Sequence, residues 1–242
     1  MEKIKVKVGK NLGDQLLYFS KLQNIFSLKE MQEQVKIYYY NPLFGEKSLE
    51  TVKDFWRIQG VEIEHVDPPY EKDKNQYTYY FGNPRCQPVH ETHFIYTKPY
   101  PELIFDKQEN YDIIIQLVGG IGLDRIISYN QVKDFIFKHK EKNIKIIGLA
   151  PKGLEDKINN KFAPVSLLNK TTFKEYMNIC CSCNTYIGTI GFGYFLAATQ
   201  RKKCFIVPAP INTVKYRTEQ ELQPNEWKQI SQRINDLKEI IL

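Results

Sequence analysis

The sequence predicts an α/β protein with parallel β-sheets, because short apolar strands and amphipathic helices alternate along both halves of the chain. In the first half, lysine and apolar residues alternate over a short strand, and the apolar residues that follow recur at helical spacing. The elements predicted in this half are strands over 4–8, 35–40 and 61–66 and helices over 14–29 and 48–59. This order forms a βαβαβ unit.

The second half repeats this order and predicts a second sheet of the same kind. Two Ser/Thr-x-x-Glu/Gln capping boxes, which begin at Ser128 and Thr172, mark the starts of helices. The other predicted elements are strands over 111–117, 144–149, 164–167, 184–187 and 203–207 and helices over 152–160 and 192–201. Apolar residues at helical spacing from Trp227 onwards predict a C-terminal amphipathic helix. The predicted architecture is two Rossmann-like βαβ domains, 1–107 and 108–242, that face a cleft.

The segment 67–101 is rich in proline and tyrosine and has little helical periodicity, so it predicts a long loop. A returning strand is expected over 102–106, followed by a polar linker. Cys86, His90 and His93 lie within the loop, but no fourth ligand accompanies them. Because a structural zinc site almost always has four ligands, we interpret them as ordinary loop residues and predict no metal site.

The composition is that of an ordinary globular protein of 242 residues, with 42% hydrophobic and 26% charged residues and a net charge of +6. No apolar run approaches the roughly 18 residues that a membrane helix needs. The N-terminus enters a strand without the apolar region of a signal peptide. The mild positive charge suits an anionic ligand such as a nucleotide diphosphate, or an anionic membrane surface. No nucleic-acid-binding signature is present, so no nucleic-acid partner is expected.

The cysteines point to a reducing compartment. The chain has five, an odd number, and three crowd together at Cys180, Cys181 and Cys183. Neighbours this close do not form an ordinary disulfide framework, which favours a cytoplasmic location. Because adjacent side chains diverge around a helix, we expect these cysteines to be small core residues rather than metal ligands.

Three glycines stand where the strand predicted over 184–187 gives way to a helix, at Gly188, Gly191 and Gly193. A glycine backbone can approach an anion closely, and a helix N-terminus offers N–H groups and a positive dipole. The carboxyl edge of an open parallel sheet is also where ligands bind. The alternative is a tight turn whose glycines only allow the helix to pack on the strand, and the local pattern leaves both interpretations open.

Asp14 follows the first predicted strand, at the end of the first βα turn. A carboxylate there would project over the ligand edge of the sheet. Asp at a helix N-terminus also stabilises the helix directly, by capping it or by interacting with its dipole. From position alone, this second interpretation is favoured.

Three stretches of the chain resemble the family-nine glycosyltransferases, the heptosyltransferase-like enzymes of the GT-B class. Residues 13–17 resemble the Gly-Asp-x-Leu-Leu turn of that family, and residues 168–176 resemble its Gly-Lys-Thr-(Ser/Thr)-Leu-x-Glu segment. Residues 187–198 resemble its Ile-Gly-Asn-Asp-Ser-Gly-Pro-Met-His-Leu-Ala-Ala segment. The resemblance implies a GT-B-like fold, with an acceptor domain over 1–107 and a nucleotide-sugar donor domain over 108–242.

The resemblance also implies an activity. It is transfer of a sugar from a nucleotide-diphosphate co-substrate to a glycan or glycolipid acceptor, inverting and independent of metal or other cofactors. Peripheral contact with the inner face of a membrane is expected with such an acceptor. Asp14 would be the general base that deprotonates the acceptor hydroxyl. The donor-binding residues implied are Gly119, Gly120, Arg125, Thr189, Gly191 and Gly193. The acceptor-binding residues implied are Lys10, Asn11 and Gly13.

Two other functions stay open. Residues 12–16, Leu-Gly-Asp-Gln-Leu, are also similar to the Leu-Gly-Asn-Gln-Leu/Met segment of bacterial fucosyltransferases, which implies a GDP-sugar donor. A non-catalytic GT-B descendant that binds a nucleotide or glycan is the second alternative. It is favoured by Ile190 and Phe195, which stand where the family-nine enzymes have Asp and His.

Overall fold

The computed structural model describes residues 2–9, 12–40, 46–66, 77–81, 100–107, 111–118, 127–189 and 191–206. The chain divides into two compact units, Met1–Ile104 and Phe105–Leu242. The predicted C-terminal helix lies outside the described residues, as do Cys86, His90 and His93. The predicted cleft and the acceptor and donor roles of the two halves stay predictions.

The first unit contains a four-stranded parallel sheet in the order β3-β2-β1-β4. Its elements are β1 (Ile4–Gly9), α1 (Leu12–Leu22), α2 (Leu28–Gln34), β2 (Val35–Tyr40), α3 (Glu46–Ile58), β3 (Glu62–His65) and β4 (Tyr79–Phe81). The chain runs outwards from β1 to β3 and then returns to the other side of β1. The strand order therefore reverses between β1 and β4.

The second unit contains a second parallel sheet, in the order β6-β5-β7-β8. Its elements are β5 (Ile113–Gln116), α4 (Tyr129–Lys138), β6 (Ile144–Ile147), α5 (Lys152–Phe162), a 3₁₀ turn (Ala163–Val165), α6 (Phe173–Ser182), β7 (Thr185–Gly188), α7 (Phe192–Thr199) and β8 (Lys203–Ile206). The strand order reverses between β5 and β7. The predicted α/β class with parallel sheets is confirmed.

The two faces of the second sheet pack against different helices. Ile115 and Ile187 belong to an apolar core that α4 and α5 complete. By strand alternation, Gln116 and Tyr186 lie on the opposite face, and Tyr186 packs its ring 6.4 Å from that of Tyr194 on α7. Both faces are therefore covered, as is usual for a parallel sheet.

The cysteine cluster belongs to the core, as predicted. Cys180, Cys181 and Cys183 are buried free thiols at the C-terminal end of α6. Burial raises the pKa of Cys181 and Cys183 to about 12. The thiols therefore stay protonated at neutral pH, and no group of metal-ligating side chains occurs among the described residues.

The prediction of one helix over 14–29 is wrong, because the chain forms two helices there. α1 ends at Leu22, and Ser27 starts α2 with a capping box. The Ser27 hydroxyl accepts a hydrogen bond from the Glu30 N–H at 3.2 Å, and the Glu30 carboxylate accepts one from the Ser27 N–H at 2.7 Å. This local cap starts a new helix that the continuing apolar periodicity concealed.

The strand predicted over 102–106 is also wrong, because this segment pairs with no strand in the described part of the chain. Two glutamine side chains hold it instead. The Gln23 amide donates to the Glu102 carbonyl at 2.7 Å and accepts from the Glu102 N–H at 2.6 Å. The Gln59 amide pairs with Ile104 in the same way, at 3.1 and 2.7 Å. A primary amide offers the same donor and acceptor as a neighbouring strand. The backbone N–H and carbonyl groups of Glu102 and Ile104 therefore have hydrogen-bond partners without a strand ladder.

Two further elements differ from the predictions. The region predicted as a long loop contains β4, which pairs with β1 and stacks the Phe81 ring on Tyr18 with centroids 5.2 Å apart. The strand predicted over 164–167 is the 3₁₀ turn with Pro164, followed by a single bridge between Ser166 and Ile146. Proline has no N–H for a ladder, which explains the second difference.

Within the described part of the chain, every helix is too short or too polar to traverse a lipid bilayer.

The capping box of α6 provides a test of local stability. The Glu175 carboxylate accepts hydrogen bonds from the N–H and hydroxyl of Thr172 at 2.7 and 2.8 Å, which hold its pKa below the ordinary value of 4.5. Its stabilising effect is therefore complete above pH 4.5 and is lost as the pH falls through the lower folded-state pKa. We expect Glu175→Gln to lower the free energy of unfolding at pH 7, and the difference from wild type to shrink in acid.

Urea denaturation at a series of pH values measures this difference. Glu33→Gln, which changes an exposed carboxylate outside any capping box, is the control. If Glu175→Gln lowers the free energy of unfolding by the same amount at pH 3 and pH 7, the stabilising role assigned to the Glu175 carboxylate is wrong.

Candidate functional site

The reversal of strand order between β5 and β7 marks the candidate ligand site of the second unit. In open parallel sheets, ligands bind beyond the carboxyl ends of the strands at such a reversal. Gln116 ends β5, and Gly188, its partner in register, ends β7. The glycine-containing turn that the sequence singled out follows directly, and α7 begins at Phe192.

Thr189 is the first residue beyond β7 and is 3% exposed. Its hydroxyl has no hydrogen-bond partner among the residues that the structure describes. Gly191 is the N-cap residue of α7, and no side chain of the described residues caps this helix. A buried polar group normally has a partner, so the Thr189 hydroxyl beside an uncapped helix N-terminus is suited to an anionic ligand.

A buried hydrogen-bond network lies beneath this turn. The Gln116 carbonyl oxygen, Oε1, accepts hydrogen bonds from the Tyr176 hydroxyl at 2.5 Å and from the Tyr186 hydroxyl at 2.7 Å. Its Nε2 donates to the Val118 carbonyl at 2.7 Å. Burial raises the pKa of both tyrosines well above the ordinary value, so both hydroxyls stay protonated and act as donors.

Gly193 packs directly against this network. A Cβ at this position would collide with the Tyr176 hydroxyl and with Oε1 of Gln116. Gly193 is therefore needed for close packing of α7, and its predicted role in donor binding stays a prediction.

Asn169 organises the neighbouring loop between β6 and α5. It adopts a left-handed conformation, with φ of 55°, which Asn tolerates better than most residues. This is the position at which the 168–176 segment has Asn in place of the Gly of the family pattern. Its side chain donates to the Ala150 carbonyl at 3.1 Å and to Glu155 at 2.7 Å and accepts from the Ala150 N–H at 3.0 Å.

The first unit places Asp14 beyond the carboxyl end of β1, at its own reversal of strand order. Asp14 is the third residue of α1 and is half-buried, so it lies inside the first turn rather than at the N-cap. The next residue, Gln15, is fully buried. Its amide donates to the Gly9 carbonyl at 2.7 Å and accepts from the Trp56 indole N–H at 3.0 Å. Gln15 thereby fixes the turn of helix that carries Asp14.

The predicted site residues fall into three groups. Thr189, Gly191 and Gly193 come together beyond β7, and Gly13 accompanies Asp14 in the first turn of α1. The remaining predicted residues lie outside the described part of the chain, namely Lys10, Asn11, Gly119, Gly120 and Arg125.

Sequence reasoning missed the glutamines and tyrosines that support both turns. Two features of the sequence could have revealed the glutamines. Gln116 is a polar residue at the end of an otherwise apolar strand, and Gln15 is a polar residue in the buried part of α1. Tyr176 and Tyr186 gave no signal in the sequence, because each lies far from Gln116 along the chain.

Comparisons with known proteins show a likeness of fold. No protein-family model matches the sequence, and no curated protein matches it. A glycosyl transferase of family 9 from Veillonella parvula has a similar structure, with a TM-score of 0.54 and 11% identity over 86% of this chain and 82% of that one. The ADP-heptose lipopolysaccharide heptosyltransferase II of Escherichia coli gives a TM-score of 0.51 and 10% identity, over 85% and 84% of the two chains. These likenesses agree with the expected GT-B-like α/β fold with parallel sheets, and the arrangement of two facing domains stays a prediction.

Substitution of Gly193 tests the close packing of α7. We expect Gly193→Ala to lower the free energy of unfolding by about 1–3 kcal/mol, since the added methyl group overpacks a buried network. Gly153→Ala is a matched control, because a Cβ there meets nothing within 4 Å and Ala is favoured over Gly in a helix. Denaturant unfolding measures the free energy of unfolding of both variants. If Gly193→Ala is as stable as Gly153→Ala, the packing argument is refuted.

Proposed function

We propose that this protein is a glycosyltransferase that transfers a sugar from a nucleotide-diphosphate donor to a glycan or glycolipid acceptor. The observation that carries the proposal is the buried Thr189 hydroxyl, which lacks a partner among the described residues and lies beside the uncapped N-terminus of α7. The two stand at the reversal of strand order, in a fold similar to that of family-nine glycosyltransferases.

The chemistry of this turn suits a diphosphate. A hydroxyl and the N–H groups of a helix N-terminus are neutral donors, and the helix dipole adds a positive potential. Phosphate oxygens accept such hydrogen bonds strongly. In our proposal, Thr189 and Gly191 bind the diphosphate, and Gly119, Gly120 and Arg125 complete the donor site. These donors and the Arg125 guanidinium stabilise the charge that grows on the leaving group, so the transfer needs no metal ion.

Asp14 is the proposed general base. The acceptor oxygen attacks the anomeric carbon, and its proton passes to the Asp14 carboxylate. The bond between this carbon and the diphosphate oxygen breaks at the same time, so the nucleoside diphosphate leaves with the electron pair and the configuration inverts. Gln15 supports this role, because its bonds to Gly9 and Trp56 hold the first turn of α1 at the end of β1.

The acceptor side and the location are further parts of the proposal. Lys10 and Asn11 stand between β1 and α1 in the sequence, and Gly13 is in the first turn of α1, and we propose that the acceptor binds at these residues. A glycolipid acceptor would bring the protein to the inner face of a membrane, and the net charge of +6 favours contact with anionic lipids. The absence of a disulfide pattern in the sequence supports a cytoplasmic enzyme.

Thr189→Val tests the donor site. We expect the dissociation constant for ADP, GDP or UDP, whichever binds the wild type, to rise roughly tenfold, because a hydrogen bond to a charged group is lost. The melting temperature should not fall, since this hydroxyl has no partner within the described structure. Isothermal titration calorimetry measures the dissociation constant, and thermal unfolding measures the melting temperature.

Thr185→Val, the same change at the opposite end of β7, is the control and should bind like the wild type. Wild-type protein that binds none of the three nucleotides would refute the donor site. The nucleotide that binds also separates an ADP-heptose donor from a GDP-sugar donor.

Asp14→Asn tests the base. With ADP-heptose or GDP-fucose as donor and a bacterial glycolipid extract as acceptor, we expect the release of nucleoside diphosphate to slow by roughly 100- to 10,000-fold. Nucleotide affinity should be unchanged, because Asp14 belongs to the acceptor side. Asp54→Asn, at a half-buried position on α3, controls for the loss of a carboxylate.

Transfer by Asp14→Asn at the wild-type rate would exclude Asp14 as the base. Wild-type protein that binds a nucleotide but releases none from a nucleotide sugar would instead favour the non-catalytic binding module.

A further inference from the structure

We propose that the Phe173 ring, which stacks on the ring of Phe192, is the surface on which the nucleobase of the donor binds. The inference rests on the proposed nucleotide-sugar function and extends the donor site from the diphosphate to the base. Phe173 is a binding residue in this proposal, since its ring touches the ligand. Phe192 supports that ring from the side of the protein.

The two rings lie at the ligand edge of the second sheet. Phe173 is the first residue of α6, and Phe192 is the first residue of α7. Their ring centroids are 5.6 Å apart and the ring planes are inclined by 24°, which is a stacked arrangement. Because α7 follows β7, Phe192 lies beyond the carboxyl end of that strand, and the stack brings the start of α6 to the same place. Two helix N-termini therefore meet at the edge where Thr189 follows β7.

The two rings differ in exposure. Phe192 is 8% exposed, whereas Phe173 is half-buried, so part of the Phe173 ring is accessible to a ligand. Packing of α6 against α7 accounts for the buried Phe192, but the exposed part of Phe173 gains nothing from that packing. A nucleobase is a flat ligand that stacks on aromatic side chains, and every base has a π-face for such a contact.

The backbone that carries Phe173 is fixed before any ligand binds. Thr172, the preceding residue, accepts a hydrogen bond from the Glu175 N–H at 3.2 Å and completes the capping box of α6. The next turn is tied to the sheet, because the Tyr176 hydroxyl donates to Oε1 of Gln116 at 2.5 Å. A ring on a fixed backbone loses little conformational freedom when a ligand stacks on it, which favours binding.

Both rings depart from the family-nine pattern described above. That pattern has Leu at the position of Phe173 and Gly at the position of Phe192. Leu has no π-face, and Gly gives no side chain to support a ring. This chain therefore has a stacked aromatic pair at its ligand edge where the pattern has none, and an aromatic ligand explains both departures together.

The test is calorimetric titration of wild type and Phe173→Leu with ADP, GDP, UDP and inorganic diphosphate. Leu keeps apolar contact with Phe192 and is the residue of the family pattern. We expect the dissociation constant of the nucleotide that binds to rise about fivefold, and that of inorganic diphosphate, which has no base, to change by less than about twofold.

Phe137→Leu is the matched control. Phe137 is also a partly exposed phenylalanine, 53% exposed, and its ring lies 5.9 Å from that of Phe162. It stands near the C-terminal end of α4, away from the start of α6. This variant should bind nucleotide and inorganic diphosphate like the wild type.

Phe173→Trp provides a second, spectroscopic test that stays available should Phe173→Leu not fold. The indole retains a π-face at this position, so the variant should bind the nucleotide at least as tightly as wild type. Stacking of the base on the indole should quench its fluorescence. We expect saturating nucleotide to quench more emission in Phe173→Trp than in wild type, which has only Trp56 and Trp227.

The outcomes separate the two proposals. Wild-type protein that binds none of the nucleotides overturns the proposed function, and the inference with it. Wild-type protein that binds one, with Phe173→Leu binding it equally well, overturns the inference alone. An equal loss of affinity for nucleotide and inorganic diphosphate in Phe173→Leu also overturns it, because the loss would then follow from a displaced α7 rather than from the base. A Phe173→Trp protein that binds nucleotide without added quenching overturns it too.

Discussion

A glutamine amide buried at the end of β5 is the interaction on which the second unit depends. Burial of a polar group without hydrogen bonds is costly, so Gln116 must find partners for both of its polar atoms. It finds them on α6, on β7 and at the start of the loop after β5. The network thereby ties together the elements that surround the reversal of strand order, where a parallel sheet offers its ligand site.

The first unit also uses buried glutamine side chains to hold its backbone segments. Gln15 joins the first turn of α1 to β1 and α3, and Gln23 and Gln59 hold the extended segment before the second unit. Like Gln116, all three are buried. A primary amide is both donor and acceptor, so it can pair with a peptide group as a neighbouring strand would. Buried glutamines thus take the place of additional strand pairing in a fold with short strands.

The proposed chemistry divides between the two units. The second unit supplies neutral donors and a helix dipole for the diphosphate, which suits a leaving group whose negative charge grows during transfer. The first unit supplies a carboxylate in a turn fixed by buried hydrogen bonds, which suits a base that must meet a hydroxyl in one geometry. In both units the chemical groups lie in the turn, whereas the residues that hold the turn are buried beneath it. In the proposed mechanism, binding and positioning are therefore carried by different side chains.

The sequence by itself determined the features that depend on neighbouring residues. The alternation of strands and helices, the helix starts at Ser128 and Thr172 and the positions of Thr189 and Asp14 beyond the ends of strands all follow from local spacing. Only the tertiary structure decided the pairing of β4 with β1, the capture of 102–106 by glutamines and the joining of Gln116 to Tyr176. These contacts join residues far apart along the chain, so they depend on strand register and helix packing rather than on periodicity. The resemblance predicted where a ligand binds, and the fold decided which buried residues hold that site in place.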